Sequence, residues 1–155
     1  MSMHHVIGNL LESDCDYICH QVNCQGRMAS GIAKSIREKW PEVYEAYMNW
    51  YKTNGHTIYN NILIVPVENN QNIINMASQY NYGYDGKRYT SYDAFWECLN
   101  RIAETCPKGS KIGFPMKIGC GLGGANWNII QFMIHEVLAQ DFEVYIYCLE
   151  DKKNG

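Results

Sequence analysis

The sequence lacks the features that mark several classes of protein. It has no apolar run near the roughly 20 residues that a membrane-spanning helix needs, and its first residues show no basic and apolar leader pattern. Its 7 cysteines are an odd number without a C-x-x-C pair, which disfavours a disulfide framework or a zinc site. These absences predict a cytoplasmic protein with no membrane partner, no metal and no cofactor.

Positive charge is also scarce. The net charge of −3 and the isoelectric point near 5.9 argue against the broad basic face with which proteins neutralise nucleic-acid phosphates. A small anionic ligand stays compatible with this charge, because backbone N–H groups and helix N-termini bind phosphate without net positive charge. What is present is ordinary globular composition, with 46% hydrophobic and 19% charged residues. We expect one domain over residues 1–155, with one site.

Apolar patterns of strand and helix type alternate along the chain. Strands are predicted at His5–Ile7, Tyr17–Asn23, Ile62–Val67, Ile73–Ala77, Lys111–Pro115 and Phe142–Leu149, and helices at Ile32–Trp40, Pro41–Tyr51, Tyr92–Cys106 and Asn126–Ala139. The third and fourth predicted strands are typical of a hairpin. Ser91 is typical of a residue that caps a helix, and Gln79–Thr90 is predicted to be a loop. This order predicts an α/β protein, a three-layer α/β/α sandwich with a central mixed β-sheet.

Two glycine-rich segments lie between a predicted strand and a predicted helix. Gly26–Gly31 follows the second strand, and Gly119–Gly124 follows the fifth. The first N–H groups of a helix have no partner within it, and glycine lets a phosphate approach the backbone closely. Two such turns predict a diphosphate or two separate phosphates. The alternative is that these glycines serve only as caps and turn residues.

The second segment also matches the dinucleotide-binding pattern G-x-G-x-x-G. Asp141 and Glu143 follow at roughly the distance of a ribose-binding acid, so a Rossmann-type protein is a competing interpretation. However, that motif normally opens its domain, and here only one predicted helix and one predicted strand follow it. The remaining residues are too few to build the rest of such a unit.

Three runs of residues resemble the macro domain family. They are Ile18–Ala33, Ile74–Gln79 and Pro115–Trp127, which lie in the family's order, and the resemblance covers nearly the whole chain. The likeness is strongest to the branch of terminal ADP-ribose protein glycohydrolase and ADP-ribose-1″-phosphate phosphatase. It implies an α/β/α sandwich with a cleft for ADP-ribose. The implied partner is ADP-ribose or a related small nucleotide, free or carried by a protein or nucleic acid.

The resemblance also implies which residues bind the ligand. Asn9 stands where the family usually has an aspartate that receives the adenine amino group, and Asn23 stands near the distal ribose. The full implied set is Asn9, Leu10, Asn23, Ala29, Ser30, Gly31, Ile32, Gln79, Gly119, Cys120, Gly121, Leu122, Gly123, Gly124 and Asn126.

The catalytic pair of the glycohydrolase that the chain resembles is missing. Gln79 holds its lysine position and Gly123 its aspartate position, and neither forms a Schiff base or moves a proton at neutral pH. Members that resemble the phosphatase use a water oriented by an asparagine, or a histidine, so the resemblance implies Asn23 and His20 as the candidate catalytic residues, for positioning water and for proton transfer. The alternatives are a strand-end turn residue for Asn23 and a core histidine for His20. We expect hydrolysis of a group on the distal ribose, first the 1″-phosphate; the alternative is a non-catalytic ADP-ribose reader.

Two further features have more than one interpretation. Cys120 precedes a predicted helix N-terminus, where the pKa of a thiol can fall, yet no Cys-x5-Arg pattern of a cysteine phosphatase follows it. We interpret it as a small residue in a crowded loop. The tyrosines between Tyr80 and Tyr92, with Lys87 and Arg88, either contact the ligand or hold their own loop together.

Overall fold

The computed structural model describes residues 2–149, which form one sheet and four α-helices. The strands are β1 (Ser2–Ile7), β2 (Tyr17–Gln21), β3 (Ile62–Pro66), β4 (Asn72–Met76), β5 (Lys111–Pro115) and β6 (Glu143–Cys148). The helices are α1 (Gly31–Lys39), α2 (Pro41–Asn54), α3 (Tyr92–Thr105) and α4 (Trp127–Leu138). All ten predicted elements are present; β5 has the predicted bounds, and each of the others differs at one or both ends.

The sheet has the strand order β1-β6-β5-β2-β4-β3. All neighbouring strands are parallel except β3 and β4, which pair as an antiparallel hairpin. This confirms both the mixed sheet and the hairpin that the sequence predicts. The topology is not that of two consecutive βαβαβ halves, so it does not support the Rossmann interpretation.

Helices cover both faces of the sheet and give the predicted three layers. Alternate strand residues enter two separate cores, as expected for a sheet that is buried on both sides. Ile18 and Ile36 belong to the core beneath α1 and α2, whereas Cys19 and Phe95 belong to the core beneath α3 and α4. Within residues 2–149, no helix has the length and apolar character needed to cross a membrane.

Specific residues determine where several of the helices begin and end. Ser91 caps α3 as predicted, since its hydroxyl accepts a hydrogen bond from the Ala94 N–H. Helix α2 runs to Asn54, beyond the predicted end at Tyr51, and stops only at Gly55, whose φ is 57°. In α4, the apolar Ile129 is 42% exposed, because the helix packs against the core through a narrow stripe that includes Ile130 and Ile134.

The strands β2 and β5 position the site. They pair only through their first residues, at Tyr17 with Ile112 and Ile18 with Gly113, so their carboxyl ends separate. The helix after β2 lies on one face of the sheet and the helix after β5 on the other. A crevice at the carboxyl ends of such strands is where open α/β sheets bind ligands.

Candidate functional site

A cavity of about 640 Å³ opens between the carboxyl ends of β2 and β5. Its volume lies within the range of small-molecule sites. Both glycine-rich segments and the loop after β4 line it. The lining residues are Gln21, Val22, Asn23, Arg27, Ala29, Ser30, Gly31, Ile32, Ala33, Gln79, Tyr82, Gly83, Tyr84, Pro115, Met116, Lys117, Ile118, Gly119, Gly121, Leu122 and Gly123.

The first turn of α1 faces this cavity. Ser30 precedes the helix but makes no side-chain cap, and its hydroxyl instead lies 2.9 Å from the hydroxyl of Tyr84. The first N–H groups of a helix have no partner within it, and Gly31, Ile32 and Ala33 all line the cavity. The start of α1 therefore offers backbone donors and the positive end of a helix dipole to an anion.

The second glycine-rich segment reaches the cavity in a different way from the first. Gly119 and the run 121–123 line it, whereas Gly124 and Asn126 do not. The Asn126 side chain caps α4 by accepting a hydrogen bond from the Asn128 N–H at 2.8 Å. The Asn128 N–H of α4 is thus capped by its own chain, and a contact between the N-terminus of α4 and the ligand stays a prediction. The segment presents its loop backbone to the cavity instead.

Gly123 occupies its position because of a close backbone approach. Its carbonyl accepts hydrogen bonds from the Tyr89 and Thr90 N–H groups, which ties the second segment to the loop after β4. A Cβ at Gly123 would lie 2.5 Å from the Gly119 carbonyl oxygen and would also clash with Thr90. An aspartate at this position would therefore displace the loop.

Gln21 joins three segments at the floor of the cavity, and the sequence analysis did not single it out. Its amide nitrogen donates to Gln79 at 2.9 Å and to Thr90 at 2.8 Å, while its amide oxygen accepts from Ser78 at 2.7 Å. Thr90 in turn donates to the Gly119 carbonyl oxygen at 2.8 Å. Gln79 is therefore held as part of a neutral network. The only sequence signal for Gln21 was a polar side chain near the end of the predicted strand Tyr17–Asn23.

Asn23 holds the first glycine-rich segment in shape. Its side-chain oxygen accepts from the Gln25 N–H, the Arg27 N–H and the Tyr47 hydroxyl, and its amide nitrogen donates to the Arg27 carbonyl oxygen. Asn23 lines the cavity but is only 8% exposed. These contacts make it a positioning residue for the loop; a role in orienting water stays a prediction.

His20 does not line either cavity. It is fully buried beneath α1 and α2, and its Nε2 donates to the Asn75 side-chain oxygen at 2.6 Å. Burial lowers the pKa of the imidazole to about 4, against the opposing hydrogen bond with Asn75. A neutral ring in the core cannot exchange protons with a ligand in the cavity, so the prediction that His20 is catalytic is corrected to a core role.

Cys120 is the small loop residue that the sequence analysis preferred. Burial raises the pKa of its thiol to about 11, opposite to the fall expected near a helix N-terminus, and Lys117 opposes this rise only weakly. It lines neither cavity. Across residues 2–149, no cluster of three or more histidine, cysteine or acidic side chains is arranged to hold a metal ion.

The tyrosine-rich loop divides into two groups. Tyr82 and Tyr84 line the cavity. Tyr80 stacks on His56, and Tyr89 donates to Asp85 at 2.8 Å, so both hold the loop itself. The loop is therefore held together in part by its own side chains, and ligand contact by Tyr82 and Tyr84 stays a prediction.

A second cavity of about 560 Å³ adjoins the first. Asn9 and Leu10 line it, together with Tyr147 and Leu149, so the structure separates these two predicted residues from the larger cavity. The Asn9 side-chain oxygen already accepts a hydrogen bond from the Leu11 N–H at 3.0 Å. The two cavities share Gly31, Ile32, Pro115, Met116 and Lys117.

Positive charge dominates the described lining of both cavities. Arg27 lines the larger cavity, and Lys117 lines both. Among the described residues, neither lining includes an aspartate or a glutamate. The charged side chains that line the cavities are thus cations, in a protein of net charge −3.

Curated proteins with similar sequences act on ADP-ribosyl groups. A DNA ADP-ribosyl glycohydrolase of Thermus aquaticus is 25% identical over 147 residues, covering 92% of this chain. The chain spans only 40% of that protein's length. An ADP-ribose glycohydrolase of Homo sapiens is 26% identical over 140 residues, covering 86% of this chain and 82% of the human protein. No family model matches the chain.

Solved structures share the fold over nearly the whole chain. A protein of Bacteroides thetaiotaomicron superposes with a TM-score of 0.84 and 29% identity, covering 95% of this chain and 98% of that one. DarTG of Thermosipho africanus, in complex with ADP-ribose, superposes with a TM-score of 0.80 and 20% identity, covering 94% of this chain and 41% of that one. The macrodomain of Mycobacterium tuberculosis DarG superposes with a TM-score of 0.79 and 22% identity, covering 94% of this chain and 96% of that one. Sequence similarity and fold are thus in agreement: the chain has the macrodomain fold, and its sequence is similar to those of ADP-ribosyl glycohydrolases.

Proposed function

We propose that this chain binds ADP-ribose across the two joined cavities, with the diphosphate at their junction. The observation that carries this proposal is the shared wall: cavities of about 640 and 560 Å³ meet at Gly31, Ile32 and the run 115–117. ADP-ribose consists of two ribose-containing halves joined by a diphosphate. A ligand of that shape needs two pockets on either side of an anion site.

The chemistry at the junction suits a diphosphate. The uncapped start of α1 presents backbone donors there, and Lys117 adds a cation. Among residues 2–149, no carboxylate lines either cavity to repel a phosphate. These features support an anionic ligand held mostly by the backbone.

The family resemblance indicates which half of the ligand lies in which cavity. The adenosine half is assigned to the smaller cavity, with Asn9 and Leu10, and the distal ribose to the larger one, with Asn23 and Gln79. The Asn9 oxygen already accepts one hydrogen bond, but a carbonyl oxygen can accept a second from an adenine amino group. The complex of Thermosipho africanus DarTG with ADP-ribose supports this ligand class.

Calorimetry against a small set of nucleotides tests the binding function. We expect ADP-ribose to bind at one site per chain, and adenosine to bind more weakly because it has no phosphate for the junction. NAD is the second ligand, and its competition with ADP-ribose compares the affinities of the two. Absence of ADP-ribose binding would refute the proposal, and tighter binding of NAD than of ADP-ribose would favour the Rossmann-type interpretation instead.

Hydrolysis of a group on the distal ribose is the second candidate function, and the two glycohydrolases among the similar proteins favour it. Against it, no aspartate, glutamate or histidine lines the larger cavity among the described residues. Attack by water on the 1″-phosphate, without a metal or covalent intermediate, is the form that we test first. Phosphate release from ADP-ribose-1″-phosphate, and ADP-ribose release from modified DNA and protein, are the assays. If the protein binds ADP-ribose but releases no product faster than buffer alone, the function is that of a non-catalytic ADP-ribose reader.

A further inference from the structure

Lys117 has a backbone conformation that lysine rarely adopts. Its φ is 64°, and hydrogen bonds on either side fix the turn: the Cys120 N–H donates to the Lys117 carbonyl oxygen at 2.9 Å, and the Ile118 N–H to the Pro115 carbonyl oxygen at 3.1 Å. Glycine adopts this region without strain, and asparagine tolerates it. The other described non-glycine residues with positive φ are Asn60, Asn69 and Asn70. Backbone geometry therefore does not explain why a lysine stands at position 117.

The Lys117 side chain has no partner in the part of the chain that the structure describes. Other lysines do: Lys111 contacts Asp14 at 3.1 Å, and Lys39 donates to a backbone carbonyl oxygen at 2.7 Å. Lys117 is half-buried, and its amine makes no hydrogen bond or ion pair with residues 2–149.

The position of Lys117 indicates what it binds. It is the one cation that lines both cavities among the described residues, and it shares their junction with Gly31 and Ile32 at the positive end of α1. A cation beside the start of a helix is unfavourable unless an anion lies between them. Among residues 2–149, no carboxylate lines either cavity, so a phosphate of the ligand would supply this anion.

We propose that Lys117 is a specificity-determining residue that binds the ligand's phosphate groups at the junction of the two cavities. This inference rests on the proposed function, because it assigns one phosphate-binding side chain to that site. The strain of the positive φ is then retained for the sake of the side chain, as strained backbone often is at functional sites. Affinity for ligands with a phosphate should depend on Lys117, and affinity for adenosine should not.

Three substitutions separate charge from backbone shape. Lys117→Gly relieves the strain, so the melting temperature should rise by about 2–4 °C, while the affinity for ADP-ribose should fall about tenfold. Lys117→Asn introduces a residue that tolerates positive φ, and it should lower the affinity for ADP-ribose by the same factor. Lys117→Arg keeps the charge and should stay within about threefold of the unchanged protein.

The controls concern ligand charge and protein charge. Adenosine should bind all variants equally, and raising the salt concentration should weaken ADP-ribose binding more in the unchanged protein than in Lys117→Gly. Lys108→Gln removes one positive charge from the opposite end of β5, where Lys108 is 76% exposed, and should leave ADP-ribose affinity unchanged.

The outcomes distinguish this inference from the proposed function. If the unchanged protein fails to bind ADP-ribose, the proposed function is refuted. If it binds, and Lys117→Asn keeps the full affinity, the assignment of Lys117 is overturned whatever the glycine variant does. A glycine variant that melts at a higher temperature, yet binds ADP-ribose as tightly as before, overturns it too.

Discussion

Gly121 is a position at which the cavity can be narrowed without disturbing the protein. It lines the larger cavity, its φ is not in the positive range, and a Cβ built on it meets no atom within 4 Å. A valine there extends into open space where a ligand would contact the loop backbone. We predict that Gly121→Val weakens ADP-ribose binding and leaves the fold intact.

The magnitude follows from the contact that Gly121→Val removes. A hydrogen bond from the backbone to a charged phosphate contributes about 1.5–3 kcal/mol, so its loss lowers affinity about ten- to a hundredfold. Replacing glycine at a compatible backbone position stabilises the folded state by about 0.4–1 kcal/mol, because the unfolded chain loses freedom. Affinity and stability should therefore change in opposite directions.

Calorimetry with ADP-ribose and thermal unfolding of the same samples measure the two effects of Gly121→Val. Gly121→Ala gives a smaller step in the same series and should weaken binding less than valine does. Unchanged affinity in the valine variant would refute the placement of the ligand against this loop. A fall in melting temperature would instead contradict the open space that the structure shows beside Gly121.

Three further predictions concern residues that hold the site or the core. Gly123→Ala should destabilise the protein by about 1–3 kcal/mol, because the new Cβ meets the Gly119 carbonyl oxygen at 2.5 Å; chemical denaturation measures this, and an unchanged midpoint contradicts it. Asn23→Ala should lower both stability and ADP-ribose affinity, because it breaks the contacts that shape the first glycine-rich segment; lost turnover with full binding would restore a catalytic role. The folded pKa of His20 is about 4, below its ordinary 6.5, so the unfolded chain binds the extra proton between these values. The free energy of unfolding should therefore fall by about 3 kcal/mol as the pH drops from 6.5 to 4. His20→Phe should remove that part of the pH dependence, which denaturation curves recorded at each pH measure.

Local patterns were sufficient to predict the secondary structure and the layers of the fold. Apolar residues at period two or at helical spacing, together with Ser91, Pro41 and the glycine-rich segments, identify the elements to within a few residues. Parallel strands and their helices then place both glycine-rich segments at one edge of the sheet. These inferences depend on residues that are close in sequence, so they do not require the tertiary structure.

The sequence alone determined the fold class and the two glycine-rich segments. Tertiary structure decided which of the predicted residues face the cavities. It buried His20 against Asn75, capped α4 with Asn126, and joined two cavities at Lys117. Each of these facts depends on contacts between distant segments, or on the direction of one side chain, and a periodic pattern along the chain carries neither.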